Sequence, residues 1–155
     1  MINRQIMRSL PEIELPYEYI THKEAPSEFY TAIPYGKKQL AWFTYIGDKN
    51  VCLTMEINIK NLTINNLCKW PEVCSFNSEL SYGTIFYGTL HNNAECKNFI
   101  IENILYYKGD KVDNVNFIEK LELFGNIFKD DICNEVYVKG QLVFYLPVMH
   151  TNKVV

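Results

Sequence analysis

Apolar positions in residues 37–58 gather on either side of a short polar turn. "KKQLAWFTYI" leads into "GDKN", and "NVCLTMEIN" follows. Gly47, Asp48 and Asn50 supply turn chemistry, so the pattern predicts a hairpin of strands 37–46 and 50–58. "YGTIFYGTL" (82–90) and "NFIIENILYY" (98–107) are predicted strands by their aromatic and β-branched content, the second closed by Lys108-Gly109-Asp110. "EFYTAI" (28–33) reads as a further strand, and "EVYVKGQLVFYLPV" (135–148) as a final strand or a pair with a bend at Gly140. The clearest helix is "NFIEKLELFGNIFK" (116–129). Phe117, Leu121, Phe124 and Phe128 recur there at helical spacing, and Asn116 with Glu119 offers an N-terminal cap. Residues 2–10 predict a short amphipathic helix through Ile2, Ile6, Met7 and Leu10. Pro11 and Pro16 end it and predict an extended arm up to residue 16. Residues 60–80 have no clear period. Without repeat or linker, the expectation is a single α+β domain over residues 1–155, mainly antiparallel β-sheet with few helices.

Composition narrows the function classes. The 155 residues are 48% hydrophobic and include 11 Tyr, 9 Phe and 2 Trp, enough for a buried core. A net charge of -3 argues against bulk electrostatic binding of DNA, so any RNA contact must be local. Five cysteines form no CxxC pair, and the 3 histidines lie far apart. That pattern predicts reduced thiols, with no zinc site and no cofactor. No apolar run reaches the roughly 18 residues of a membrane span, and "MINRQIMRSL" lacks a signal-peptide core. An intracellular protein is expected, whether of cytoplasm, nucleus or virus factory. Abundant Asn, Ile, Lys and Tyr fit an AT-rich genome such as that of a large DNA virus.

Several side chains stand out against this background. Alternation places Lys37 and Lys38 on opposite faces, so one at most enters a pocket. Lys38 shares its face with Leu40 and Trp42. It is either a solvated strand end or a phosphate contact. Trp42 is either core or a stacking platform for a base. Trp70, followed by Glu72, is either a packed loop residue or the stacking half of a pocket for a cationic methylated guanine. Glu102, inside "FIIENILYY", must be solvated, paired or bound, because burying a bare carboxylate is costly. By alternation it shares a face with Ile100, Ile104 and Tyr106. Its carboxylate suits the N1 and N2 donors of guanine.

The order "GTIFYGTL", "FIIENILYYKGDKV", "NFIEKLELF" resembles the nucleotidyltransferase domain of mRNA capping enzymes and ATP-dependent ligases. Phe117, Lys120 and Leu121 fit that family's Phe-x-x-Arg-Leu helix, and Gly36 fits the glycine of Lys-x-Asp-Gly-x-Arg. The catalytic positions do not match. The nucleophilic lysine falls on Ile33, its Asp on Tyr35, and the Asp-Gly-Glu triplet on Tyr87-Gly88-Thr89. The base-stacking aromatic falls on Glu102. Isoleucine cannot attack phosphorus, and Tyr with Thr makes a poor magnesium site. The resemblance therefore implies a nucleotidyltransferase-like fold without the transferase.

Within that superfamily "PYGKKQL", "KNVCL" and "VKGQLVFY" are similar to the cap-binding domain of snurportin. That likeness implies capped RNA or a guanine nucleotide as ligand. Residue by residue it implies contacts from Tyr19, Ile33, Gly36, Lys38 and Lys49, beside Tyr87, Thr89 and Glu102. Snurportin's stacking tryptophan lies on a strand past the late segment, so the resemblance also implies an open sheet edge near Tyr145 that a protein partner completes. The alternative expectation is a structural or interaction module, an accessory capping subunit or virion component, that kept the fold without the ligand.

Overall fold

A computed structural model describes residues 4–13, 30–31, 36–58, 63–147 and 149–150. In chain order the elements are α1 (Arg4–Met7), β1 (Tyr30–Thr31), β2 (Lys38–Ile46), β3 (Lys49–Asn58), β4 (Thr63–Leu67) and β5 (Ser75–Phe76). A 3-10 turn, Ser78–Tyr82, precedes β6 (Thr84–Asn92), β7 (Cys96–Tyr107) and β8 (Asp110–Lys111). Helix α2 (Phe117–Asn126) then runs into a π turn, Ile127–Asp131. The last of the described elements are β9 (Ile132–Cys133), β10 (Gln141–Tyr145) and β11 (Met149–His150). This is a mixed α+β protein, mostly strands.

The main sheet runs in the order β10-β7-β6-β2-β3-β4, with β8 pairing the end of β7. The expected hairpin is present, Ile46 opposite Lys49 and Trp42 opposite Leu53. One pairing departs from the antiparallel expectation: β10 runs parallel to β7. Parallel strands need a crossover, and α2 supplies it. Residues 60–80 are more regular than their composition suggested, since β4, β5 and the 3-10 turn lie there. The last strand is shorter than expected. It begins at Gln141, whose side chain holds the preceding loop by accepting from the Tyr137 N–H at 2.9 Å and donating to the Glu135 carbonyl at 2.7 Å. The helix starts as expected, with Asn116 accepting from the Glu119 N–H at 2.9 Å. Of the expected strand 28–33 and arm up to residue 16, the parts at 28–29, 32–33 and 14–16 lie outside the described residues.

Both faces of the sheet are covered, which explains near-continuous apolar runs where a one-sided sheet would alternate. One face carries Phe43, Phe86, Phe99 and Phe144, packed under Leu80, Phe124 and Ile127. The Phe43, Phe86 and Phe144 rings meet at 5.5–5.6 Å between centroids. The other face carries Leu40, Trp42, Leu53, Met55, Ile85 and Tyr87, and the amino-terminal Ile6, Met7, Leu10 and Ile13 pack on it. Tyr106 ties that segment down by donating its O–H to the Glu12 carbonyl at 2.7 Å.

Strand β7 has two irregularities against β6. Gly88 pairs with Ile101 and Tyr87 with Asn103, so Glu102 has no direct cross-strand partner; Leu105 is skipped in the same way. Such bulges re-aim side chains. They also overturn the simple alternation that grouped Glu102 with Ile104, since Ile104 packs on the opposite face from Tyr106.

Candidate functional site

Three strands bring one polar constellation together. Lys38 begins β2 and lies opposite Thr89 of β6, and Thr89 in turn lies opposite Ile100 of β7. The bulge swings Glu102 toward both. The Lys38 ammonium donates to Glu102 Oε1 at 2.9 Å, to Oε2 at 2.8 Å and to Thr89 Oγ1 at 3.0 Å. Thr89 donates its own O–H to Glu102 Oε2 at 3.0 Å. The Lys38 side chain is 5% exposed and that of Glu102 15%, so the ion pair is largely withdrawn from water.

Gly36 completes the cluster. Its φ is +141°, and a Cβ there would lie 2.7 Å from Thr89 Cγ2 and 3.3 Å from His91 Cε1. Only glycine lets the entrance to β2 pass this close to Thr89. Lys37, on the other face as expected, is exposed and pairs with Glu56 at 3.4 Å.

The remaining expected site residues do not join this group. Lys49 sits at the opposite end of the hairpin, roughly 25 Å from Lys38 at about 3.3 Å per residue. A pocket spanning both lysines is therefore excluded. Trp42 is 1% exposed and lies in the core, because β2 is central and both faces are covered there; it is not a stacking platform. Tyr87 is likewise core. Trp70 is 68% exposed, while the Glu72 carboxylate is engaged by other partners. The Glu72 carboxylate accepts from Thr54 Oγ1 at 2.7 Å and from Lys97 at 2.9 Å, and its N–H donates to the Cys52 carbonyl at 2.8 Å. Tyr19 and Ile33 lie outside the described residues. Lys120, which the resemblance set against a helix arginine, donates to Asn103 Oδ1 of β7 at 2.6 Å and to the Asp113 carbonyl at 2.9 Å. Burial lowers its pKa, partly offset by the charge of Asp113.

A further buried carboxylate lies at the end of α2. Asp131 is 3% exposed. It accepts from Tyr107 O–H at 2.6 Å and lies 3.3 Å from the Lys108 ammonium, which also reaches Glu79 at 3.1 Å. Burial works against the Lys108 charge, but the ties to Tyr107, Glu79 and Asp131 outweigh it and hold the ammonium above the usual lysine range. Burial, with the Asp131 hydrogen bond, likewise raises Tyr107. In the sequence Asp131 reads as one of two acids at a helix end; only the π turn carries it inward.

β10 is the terminal strand of the main sheet, and groups outside any strand bond part of its outward edge. The Leu142 N–H donates to the Val73 carbonyl at 2.7 Å. The Asn134 side chain satisfies both backbone groups of Phe144, donating to its carbonyl at 2.6 Å and accepting its N–H at 3.0 Å. Beside this edge an open cleft of about 440 Å³ is lined by Ala94, Glu95, Val136, Tyr137, Val138 and Lys139. Tyr137 is exposed, and its bond to Glu135, with Cys133 nearby, pushes its phenol up to about 12.

Among the described residues no group of three or more His, Cys, Asp or Glu is placed to hold a metal, and no helix is long and apolar enough to cross a membrane. No family model, curated protein or solved structure matches the chain.

Proposed function

We propose that this chain is a non-catalytic interaction module, an accessory or structural component built on a degenerate nucleotidyltransferase-like sheet. The observation that carries this reading is the closure of Lys38 on Glu102. A phosphate that recruited the ammonium would have to displace Glu102 and leave a largely buried carboxylate unpaired, at a cost of about 3–5 kcal/mol. A guanine edge would need both carboxylate oxygens. Lys38 and Thr89 already fill three of the roughly four acceptor positions there. The reading as non-catalytic is supported by Ile33 where the resemblance asks for a nucleophile and by Tyr87-Gly88-Thr89 where it asks for carboxylates. Exposed apolar side chains such as Trp70, Val73, Val136 and Tyr137 suit contact with protein better than with a polyanion.

Binding of a guanine nucleotide or RNA cap is the second reading. It draws on one observation: Gly36, Lys38, Thr89 and Glu102 converge on the face where the resemblance expects a ligand. Thermal unfolding with GTP, ATP and a methylated cap analogue at millimolar concentration separates the two. The interaction module shows no shift with any of them. A saturable rise that Glu102→Ala abolishes would establish the nucleotide reading and remove the first.

A further inference from the structure

Residues 72 and 73 tie together strands that are not neighbours in the main sheet. The Glu72 N–H donates to the Cys52 carbonyl of β3 at 2.8 Å, and the Val73 carbonyl accepts from the Leu142 N–H of β10 at 2.7 Å. The Glu72 carboxylate, 7% exposed, adds Thr54 of β3 at 2.7 Å and Lys97 of β7 at 2.9 Å. Cys74 comes directly after this tie. It packs half-buried on the core cluster that contains Cys52, and the two thiols hydrogen-bond to each other. Cys52 is fully buried. Burial, with the Cys74 thiol beside it, holds the Cys52 pKa well above the ordinary thiol range. Cys68 belongs to the other face, where it packs on the second cluster and its sulfur accepts from the Thr54 N–H at 3.4 Å.

We infer that Cys52 and Cys74 form an oxidisable dithiol, a modification site whose disulfide pins residues 72–74 to β3. The oxidant is a hydroperoxide. Cys74, the more exposed of the pair, meets it first. The Cys74 thiolate sulfur attacks one peroxide oxygen, the O–O bond breaks with loss of hydroxide, and Cys74 becomes a sulfenic acid. The Cys52 sulfur then attacks the Cys74 sulfur. An S–S bond forms, the S–O bond breaks, and the departing hydroxide is protonated to water. The two thiols have lost two hydrogens, and hydrogen peroxide has become two waters. Burial keeps Cys52 in the thiol form, so the second step is the slow one at neutral pH. The disulfide closes the chain between residues 52 and 74 and so restricts the unfolded state. The inference goes beyond the proposed function, because it holds whether or not the Lys38–Glu102 face takes a ligand.

Treating the folded, reduced full chain with hydrogen peroxide tests it, read by intact mass and by peptide mapping without reductant. A loss of about 2 Da that dithiothreitol reverses is expected, together with a Cys52–Cys74 cross-linked peptide pair. Dimedone added with the peroxide is expected to label Cys74 and to leave Cys52 unlabelled. Cys74→Ser is expected to abolish the cross-link, and Cys68→Ser and Cys133→Ser to keep it. Circular dichroism confirms that each variant is folded. The cross-linked chain is expected to unfold about 5–10 °C above the reduced one. Oxidation confined to the exposed Cys133, or a cross-link between other cysteines, overturns the proposal. So does a Cys52–Cys74 link that forms only in urea, or one that leaves the unfolding midpoint no higher.

Discussion

Lys38 and Glu102 are 64 residues apart in sequence, yet the ammonium bonds both carboxylate oxygens, at 2.9 and 2.8 Å. Partners so placed stabilise less than an apolar pair would, but each depends strongly on the other. Lys38→Met and Glu102→Leu are each expected to cost about 3–5 kcal/mol, and the double variant to recover most of that loss. Urea unfolding of the double-mutant cycle measures it. Strictly additive losses would show that the pair is not coupled.

The Gly36–Thr89 contact predicts a second set. Gly36→Ala strains a positive-φ position and drives a methyl to 2.7 Å from Thr89 Cγ2; about 1–3 kcal/mol is expected. Adding Thr89→Ser removes that methyl while keeping the hydroxyl. It is expected to restore the steric part of the loss and leave the backbone part.

Gly88 is the most demanding glycine. A Cβ there would lie 2.0 Å from the Ile100 carbonyl oxygen, a backbone atom that cannot move without breaking the β6–β7 pairing. Gly88→Ala is expected to abolish the folded state, read as loss of cooperative unfolding. A stable, cooperative Gly88→Ala protein would contradict the register given for these strands.

Asn134 stands in for a missing neighbour strand. Asn134→Ala leaves the N–H and C=O of buried Phe144 without their partners, at about 1–3 kcal/mol for each group. It also uncovers the β10 edge, so light scattering is expected to rise along with the fall in urea midpoint.

The Tyr107–Lys108–Asp131 cluster gives a pH dependence. Tyr107 and Lys108 both titrate higher folded than unfolded. Their contribution is therefore full below their ordinary values, about 10, and is lost as pH rises above them. The unfolding midpoint is expected to fall by at least about 3 °C between roughly pH 9.5 and 11.5. In Asp131→Asn the fall is shallower, because the charge that supports Lys108 is gone.

The hairpin of β2 and β3, the cap at Asn116 and the opposed faces of Lys37 and Lys38 were legible in the sequence. Each depends on neighbours within a few residues, where turn chemistry, side-chain capping and pleat parity act. The lone carboxylate in an apolar strand also marked Glu102 as a residue needing a partner. What the sequence could not specify was which one. Tertiary structure decided that through a bulge, which breaks the parity rule and turns Glu102 onto Lys38. It also decided that Trp42 is core, because burial on both faces depends on what packs above and below the sheet. The inward turn of Asp131 and the bonding of the Phe144 backbone by Asn134 have the same origin. A polar side chain's role is fixed by the groups that surround it in space, and those come from distant parts of the chain.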